Sequence, residues 1–176
     1  MGAIAGQLAK ASGARVVGIA GGAAKCREVV EKLGFDACVD HLKPDFEAQL
    51  AAAVPDGIDA HFENVGAKTL DPTLSLMKEQ GRIGLCGLIA HYLDEAPITL
   101  RNFRTLLTSG LSLRGFRVYD HLQHTAQAQN ELKAAIKNGS LLIRETITSG
   151  LNNAPQAYID MLAGKGTGKH ILALTE

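Results

Sequence analysis

Three features of the sequence predict an α/β fold with a mostly parallel sheet. Strand-like apolar runs alternate with helix-like runs from residue 15 onward, glycines punctuate the switches between them, and the chain opens on a small-residue helix, Gly2-Ala-Ile-Ala-Gly-Gln-Leu-Ala-Lys10. Alternation with short loops calls for crossover helices, and such helices cover both faces of a parallel sheet.

In the opening helix Gly2 and Gly6 stand four residues apart beside Ile4 and Leu8. Small residues at that spacing let a helix lie close to a sheet while its N-terminus meets a phosphate. Strand-like runs follow at residues 15–20, 36–40, 58–63, 82–86, 111–116 and 144–147. Helical patterns fall between them at 25–33, 46–54, 70–77, 103–108 and 125–137, with a last helix at 154–162 and a last strand at 170–174. Gly13, Gly21-Gly22, Gly34, Pro55-Asp56-Gly57, Gly110 and Asn138-Gly139 mark the turns.

A glycine-opened helix of this kind normally follows a strand and an earlier glycine, and neither stands before Met1 in this sequence. The expected architecture is therefore a Rossmann-like doubly wound parallel sheet that lacks its first strand. Sheets of this type commonly run in the order 3-2-1-4-5-6. Residues 15–20 then take the place of strand 2 and residues 58–63 that of strand 4, with the gap between them. Buried unpaired backbone groups cost about 1–3 kcal/mol each. The chain is thus expected to be part of a larger protein or to be completed by a partner. Residues 1–139 are read as a nucleotide-binding domain and 140–176 as a C-terminal segment returning to a second domain.

Composition narrows the functional classes. Hydrophobic residues make up 46% and charged residues 20%, values of a globular protein. Net charge is zero and no basic stripe occurs, which argues against nucleic acid and anionic membranes as partners. No apolar run approaches the ~20 residues of a bilayer span, and no signal peptide precedes the first helix. Cys26, Cys38 and Cys86 are odd in number and widely scattered, without disulfide or zinc spacing, which fits a reducing cytoplasm.

Ligands of open α/β sheets bind at the carboxyl ends of strands, so the strand ends carry the candidate chemistry. After residues 15–20 comes Gly21-Gly-Ala-Ala-Lys-Cys-Arg27, with two bases and no acid. Lys25 and Arg27 suit a 2′-phosphate, predicting NADP over NAD; the alternative is a pair of solvated bases on a helix. Asn64, in Phe62-Glu-Asn-Val-Gly66, offers both a donor and an acceptor to a ribose or nicotinamide edge; the alternative is a helix-capping Asn. Gly87, in Leu85-Cys-Gly-Leu-Ile-Ala-His-Tyr92, lets backbone approach a flat ring. Gly115-Phe-Arg-Val-Tyr119 ends the next strand. His121 and His124 lack further ligands at metal spacing, and Asp36, Asp40, Asp56 and Asp59 read as turn residues.

Several strings together carry a family resemblance: Gly2-Ala-Ile-Ala-Gly-Gln-Leu-Ala-Lys10, Val16-Val-Gly-Ile-Ala-Gly-Gly22 with Lys25, Leu33-Gly-Phe-Asp36, Asn64-Val-Gly66, Gly81-Arg-Ile83, Cys86-Gly87 and Gly115-Phe116. Over its whole length the chain resembles the C-terminal part of zinc-independent medium-chain dehydrogenases/reductases. Within them it is most similar to prostaglandin reductases, leukotriene B4 dehydrogenases and alkenal or curcumin double-bond reductases. The resemblance implies NADPH as cofactor, no zinc, and reduction of the C=C bond of an enone or enal. It places Gly2 at the end of the pyrophosphate loop, Lys25 at the 2′-phosphate and Asn64 against the cofactor. Cys86, Gly87, Leu88, Ile89, Ala90, His91 and Tyr92 fall in the loop over the nicotinamide half, and Phe116, Arg117 and Val118 at the next contact. His41 stands where the family often has a cofactor-contacting Tyr, Gly166 where it has an Asn, and Thr108 where relatives carry a Tyr near the substrate carbonyl. No catalytic residue is assigned, and the N-terminal catalytic domain of such enzymes is missing. Relatives pair through the edge of the cofactor sheet, here near residues 111–116. The alternatives are a non-catalytic truncated nucleotide-binding module and a quinone reductase of the same superfamily.

Overall fold

The computed structural model describes residues 1–93 and 96–174, so the last two residues of the expected C-terminal segment lie outside it. Helices and strands alternate as α1 (Gly2–Ala11), β1 (Val17–Ala20), α2 (Ala23–Glu31), β2 (Ala37–Asp40), α3 (Phe46–Ala53), β3 (Ile58–Glu63), α4 (Ala67–Leu74), β4 (Met77–Leu85), α5 (Thr105–Thr108), β5 (Ser112–Gly115), α6 (Thr125–Lys137), β6 (Glu145–Ser149), α7 (Ala154–Leu162) and β7 (Lys169–Ala173). Every strand pair is parallel, as strand–helix alternation predicts.

The sheet is divided. β1 pairs with β2, β3-β4-β5 form a second group, and β6 pairs with β7. Among the described residues β1 and β3 do not pair, and α1 packs against both. Each half has its own core. Val39, Phe46 and Leu50 are buried with Val17 and Ile19 against them, while Leu70, Leu74, Met77 and Ile83 are buried with Ile58, Leu106 and Leu111.

The small residues of α1 do what their spacing predicts. A Cβ on Gly6 would fall inside the ring of Phe35, itself 7% exposed, so only glycine lets the helix cross there. The next residue, Gln7, is buried and clasps Leu142, donating Nε2–H to its carbonyl and accepting its N–H at Oε1 (3.0 and 2.8 Å). Asp36 accepts N–H from Val16 at 2.7 Å, and Asp40 accepts from Gly22 and Leu42 at 2.8 and 3.0 Å, the turn roles read from the sequence.

Two element starts differ from expectation by three residues or more. The helix expected at 70–77 runs Ala67–Leu74, because Gly66 (φ 127°) and the side chain of Glu63 set its start three residues earlier. The strand expected at 82–86 begins at Met77, where Met77 pairs with Ile58. Between Met77 and the regular ladder from Arg82 the chain bulges through Gln80, a non-glycine residue at φ 60°.

Candidate functional site

The carboxyl ends of β1 and β2 meet at Gly21 and His41. The His41 N–H donates to Ala20 at 3.0 Å, extending the ladder by one residue. Its ring then lies over Gly21, where a Cβ would sit 3.1 Å from Nε2. Among the described residues its Nδ1 is buried with no hydrogen-bond partner. Burial first, and the Lys68 ammonium second, hold the imidazole below its ordinary pKa, against the pull of Asp40.

At the end of β3, Glu63 organises the turn that carries Asn64. This carboxylate is 1% exposed and fully partnered: Oε1 accepts N–H from Val65 and Gly66 at 2.5 and 3.1 Å, while Oε2 lies 2.9 Å from both Thr69 Oγ1 and His61 Nε2. Burial pushes the carboxyl up, but the His61 imidazole and the two amides outweigh it, leaving its pKa below the ordinary value. Asn64 itself caps no helix. Its Oδ1 faces Gly87, where a Cβ would stand 3.2 Å from it and 3.2 Å from the Tyr92 hydroxyl. A side chain at position 87 would fill this floor.

The ends of β3, β4 and β5 are stitched together by backbone. Cys86 and Gly87 donate N–H to Glu63 (2.8 and 3.2 Å), Ile89 to Asn64 (3.1 Å), Ala90 to Val65 (3.0 Å), and Phe116 to Leu85 (2.8 Å). Ile89–His91 form one 3-10 turn. The His91 Nε2 accepts the Ala67 N–H at 3.1 Å, and its ring covers Gly66. Phe116 stacks on His121 at 4.6 Å, Arg117 grips Asp120 through two hydrogen bonds, and Val118 is exposed.

Asn64, residues 86–92 and Phe116 therefore converge on one end of three adjacent strands. Leu88 and Tyr92 are joined there by a long N–H to hydroxyl contact of 3.4 Å. His41 and Gly21 occupy the corresponding end of the other half-sheet. An open cleft of about 630 Å³ joins the two halves, lined by His41, Phe46, Lys68, Asp71 and Arg101 among others. Lys25 lies elsewhere: its ammonium donates to the Gly164 carbonyl, and it lines a smaller cavity of about 280 Å³ with Ala3, Ala20 and His170. Gly2 is exposed at the start of α1 with open space around it.

Sequence reasoning missed Glu63, Lys68 and the Asp71 anchor. Asp71 is 4% exposed and accepts from Arg101 Nε and the Asn102 N–H, both at 2.8 Å, which holds the chain after residue 100 against α4. The available signal for Glu63 was an acid directly before Asn64 at a strand end. Lys68 and Asp71 look like ordinary helix-surface residues in the sequence.

Parallel strands, a glycine-opened helix and polar groups gathered at the carboxyl strand ends define a Rossmann-like nucleotide-binding unit. Residues 1–140 match the zinc-binding dehydrogenase family, and the chain belongs to it. The NADPH-dependent curcumin reductase of Escherichia coli (strain K12) is 43% identical over 183 residues, covering 98% of this chain and 52% of that protein. The NADP(+)-dependent 2-alkenal reductase of Nicotiana tabacum is 35% identical, covering 99% of this chain and 51% of that one. The crystal structure of CurA in complex with NADPH from Vibrio vulnificus matches with a TM-score of 0.92 at 36% identity, covering 99% of this chain and 54% of that chain. The chain thus spans about half the length of the curated relatives it matches. The resemblance to alkenal and curcumin reductases read from the sequence holds at family level. The family's name carries zinc, but among the described residues no group of three or more His, Cys, Asp or Glu side chains converges, so the donor set does not fit that ion. A dinucleotide fits better: the unpartnered His41 nitrogen and the glycine floor at Gly87 are features that such a ligand would use.

Proposed function

We propose that this chain is the cofactor-binding portion of an NADPH-dependent oxidoreductase that reduces the C=C bond of α,β-unsaturated carbonyls. The observation that carries the reading is the 43% identity, over 98% of the chain, to a protein named NADPH-dependent curcumin reductase. The convergence of Asn64, Gly87 and Tyr92 at adjacent strand ends supports it. When bound, NADPH supplies the hydride for the substrate's β-carbon.

The chain's own residues bind and orient. Gly2 opens the helix whose N-terminal amides meet the pyrophosphate, and Lys25 leaves the Gly164 carbonyl to pair with the 2′-phosphate. Asn64 presents its amide to the ribose or nicotinamide edge, on a turn that Glu63 fixes. Gly87 gives the ring close access, with Cys86, Leu88, Ile89, Ala90, His91 and Tyr92 forming the wall of that half and Phe116, Arg117 and Val118 the next. Residues 1–139 form this unit, residues 140–176 lead toward the catalytic domain, and the exposed edge strand β5 supports pairing of two copies. A second reading, binding without turnover, is favoured by the division between β1 and β3.

Thermal unfolding tests the proposal. A ligand at about 100 times its Kd stabilises by about 2.7 kcal/mol. NADPH is expected to raise the Tm clearly more than NADH does, and Lys25→Ala to narrow that difference. Equal protection by the two cofactors would overturn the NADP assignment, and oxidation of NADPH by this chain with an enone would remove the second reading.

A further inference from the structure

We propose that His91 is a positioning residue: its neutral imidazole latches the 86–92 loop to the first turn of α4, and so holds the wall of the nicotinamide half from behind rather than by touching the cofactor. The inference rests on the reading of that loop as the nicotinamide wall, and it deepens that reading by naming the side chain that keeps the wall in place.

Backbone carries the loop only part of the way. Cys86 and Gly87 donate to the Glu63 carbonyl, Ile89 to that of Asn64 and Ala90 to that of Val65, so the loop climbs the 63–65 segment one residue at a time. Beyond Ala90 a side chain takes over, as His91 Nε2 accepts the Ala67 N–H at 3.1 Å. Among the described residues His91 is the one side chain of this loop that hydrogen-bonds outside it. The Tyr92 hydroxyl reaches only the Leu88 N–H, at 3.4 Å. Ile89, Tyr92 and Leu93 are exposed, so apolar burial does little to hold the stretch.

The receiving surface is shaped for a ring. A Cβ on Gly66 would stand 2.3 Å from His91 Cδ2, so the imidazole lies directly on that backbone. The first amides of a helix have no partner within it. At α4 the Glu63 carboxylate takes those of Val65 and Gly66, and His91 takes that of Ala67. Two side chains from two strand ends thus consume three successive amides. An imidazole that accepts at Nε2 carries its proton on Nδ1 and is neutral. The protonated form donates from both nitrogens and would set a positive charge against the positive end of the helix. The position therefore calls for a neutral acceptor of imidazole reach. Tyr92 follows directly, and its hydroxyl lies 3.2 Å from the Cβ position of Gly87, as does Asn64 Oδ1. Fixing the His91 ring fixes where Tyr92 meets that floor. A loop already held in its bound arrangement spares the ligand the cost of ordering it.

Calorimetric titration of the chain with NADPH and with 2′,5′-ADP separates a latch from general support of the fold, because the second probe lacks the nicotinamide half. His91→Leu is expected to weaken NADPH binding about fivefold while changing 2′,5′-ADP binding less than about twofold. His91→Gln, whose Oε1 can accept the Ala67 N–H, should bind NADPH within about twofold of the unaltered chain. NADPH binding by His91→Leu as tight as that of the unaltered chain overturns the inference. So does a loss shared equally by both probes, which marks damage to the whole fold. A loss in His91→Gln as large as in His91→Leu also overturns it, since the ring would then be touching the cofactor. These three outcomes leave the NADP(H) reading standing. If the unaltered chain binds NADPH no better than 2′,5′-ADP, the placement of residues 86–92 at the nicotinamide half fails and this inference falls with it.

Discussion

His41 shows how one residue's surroundings decide its charge. Burial and the Lys68 ammonium depress its pKa in the folded chain, while Asp40 opposes them. The sign of the linkage follows. Above the unfolded value of about 6.5 the imidazole is neutral in both states and stability is unaffected. As pH falls below that value the unfolded chain takes up a proton that the folded chain refuses. Stability is then expected to decline until pH passes the depressed folded value, and His41→Gln should flatten this segment of the curve. Urea denaturation across pH 7 to 5 measures it, and an unchanged slope in the variant would contradict the assignment. His41 could be singled out in the sequence through the family resemblance alone. Glu63 and Lys68 could not, because their roles depend on which backbone amides and which opposing strand end they face, and that is fixed only when two distant segments are brought together.

Elements were more legible than their edges. The alternation of runs gave every strand and helix, since period and length are local properties, whereas α4 and β4 begin where tertiary bonds place them. The start of α4 is set by Glu63 across a turn, and the start of β4 by pairing with Ile58. α1 carries a sharper test. Replacing a helical glycine by alanine stabilises a helix by up to ~1 kcal/mol, but overpacking a core costs about 1–3 kcal/mol. At Gly6 a methyl group would enter the Phe35 ring, so Gly6→Ala is expected to be net destabilising. In a Phe35→Leu background the obstruction is gone, and the same substitution should become neutral or stabilising. A double-mutant cycle by denaturant unfolding reads the coupling; additive effects would mean that α1 does not bear on Phe35.

At the scale of the molecule, the division of the sheet governs stability and association together. Only β4 is paired on both sides among the described residues, through Arg82, Ile83, Gly84 and Leu85 against both β3 and β5. β1 and β3 each have one partner, and all four residues of β5 are exposed at an edge. An edge strand presents unpaired amides, which recruit another strand or exchange with solvent. Hydrogen exchange followed by mass spectrometry resolves these cases strand by strand. The amides of β4 are expected to exchange slowest and those of β1 and β3 clearly faster, because half of their ladder faces no strand. β5 is the discriminating element: pairing of two copies through it would slow its exchange in a concentration-dependent way, while β1 and β3 stay fast. Exchange at β5 that is fast at every concentration would refute the proposed homodimer. Protection of β1 and β3 equal to that of β4 would refute the open division of the sheet.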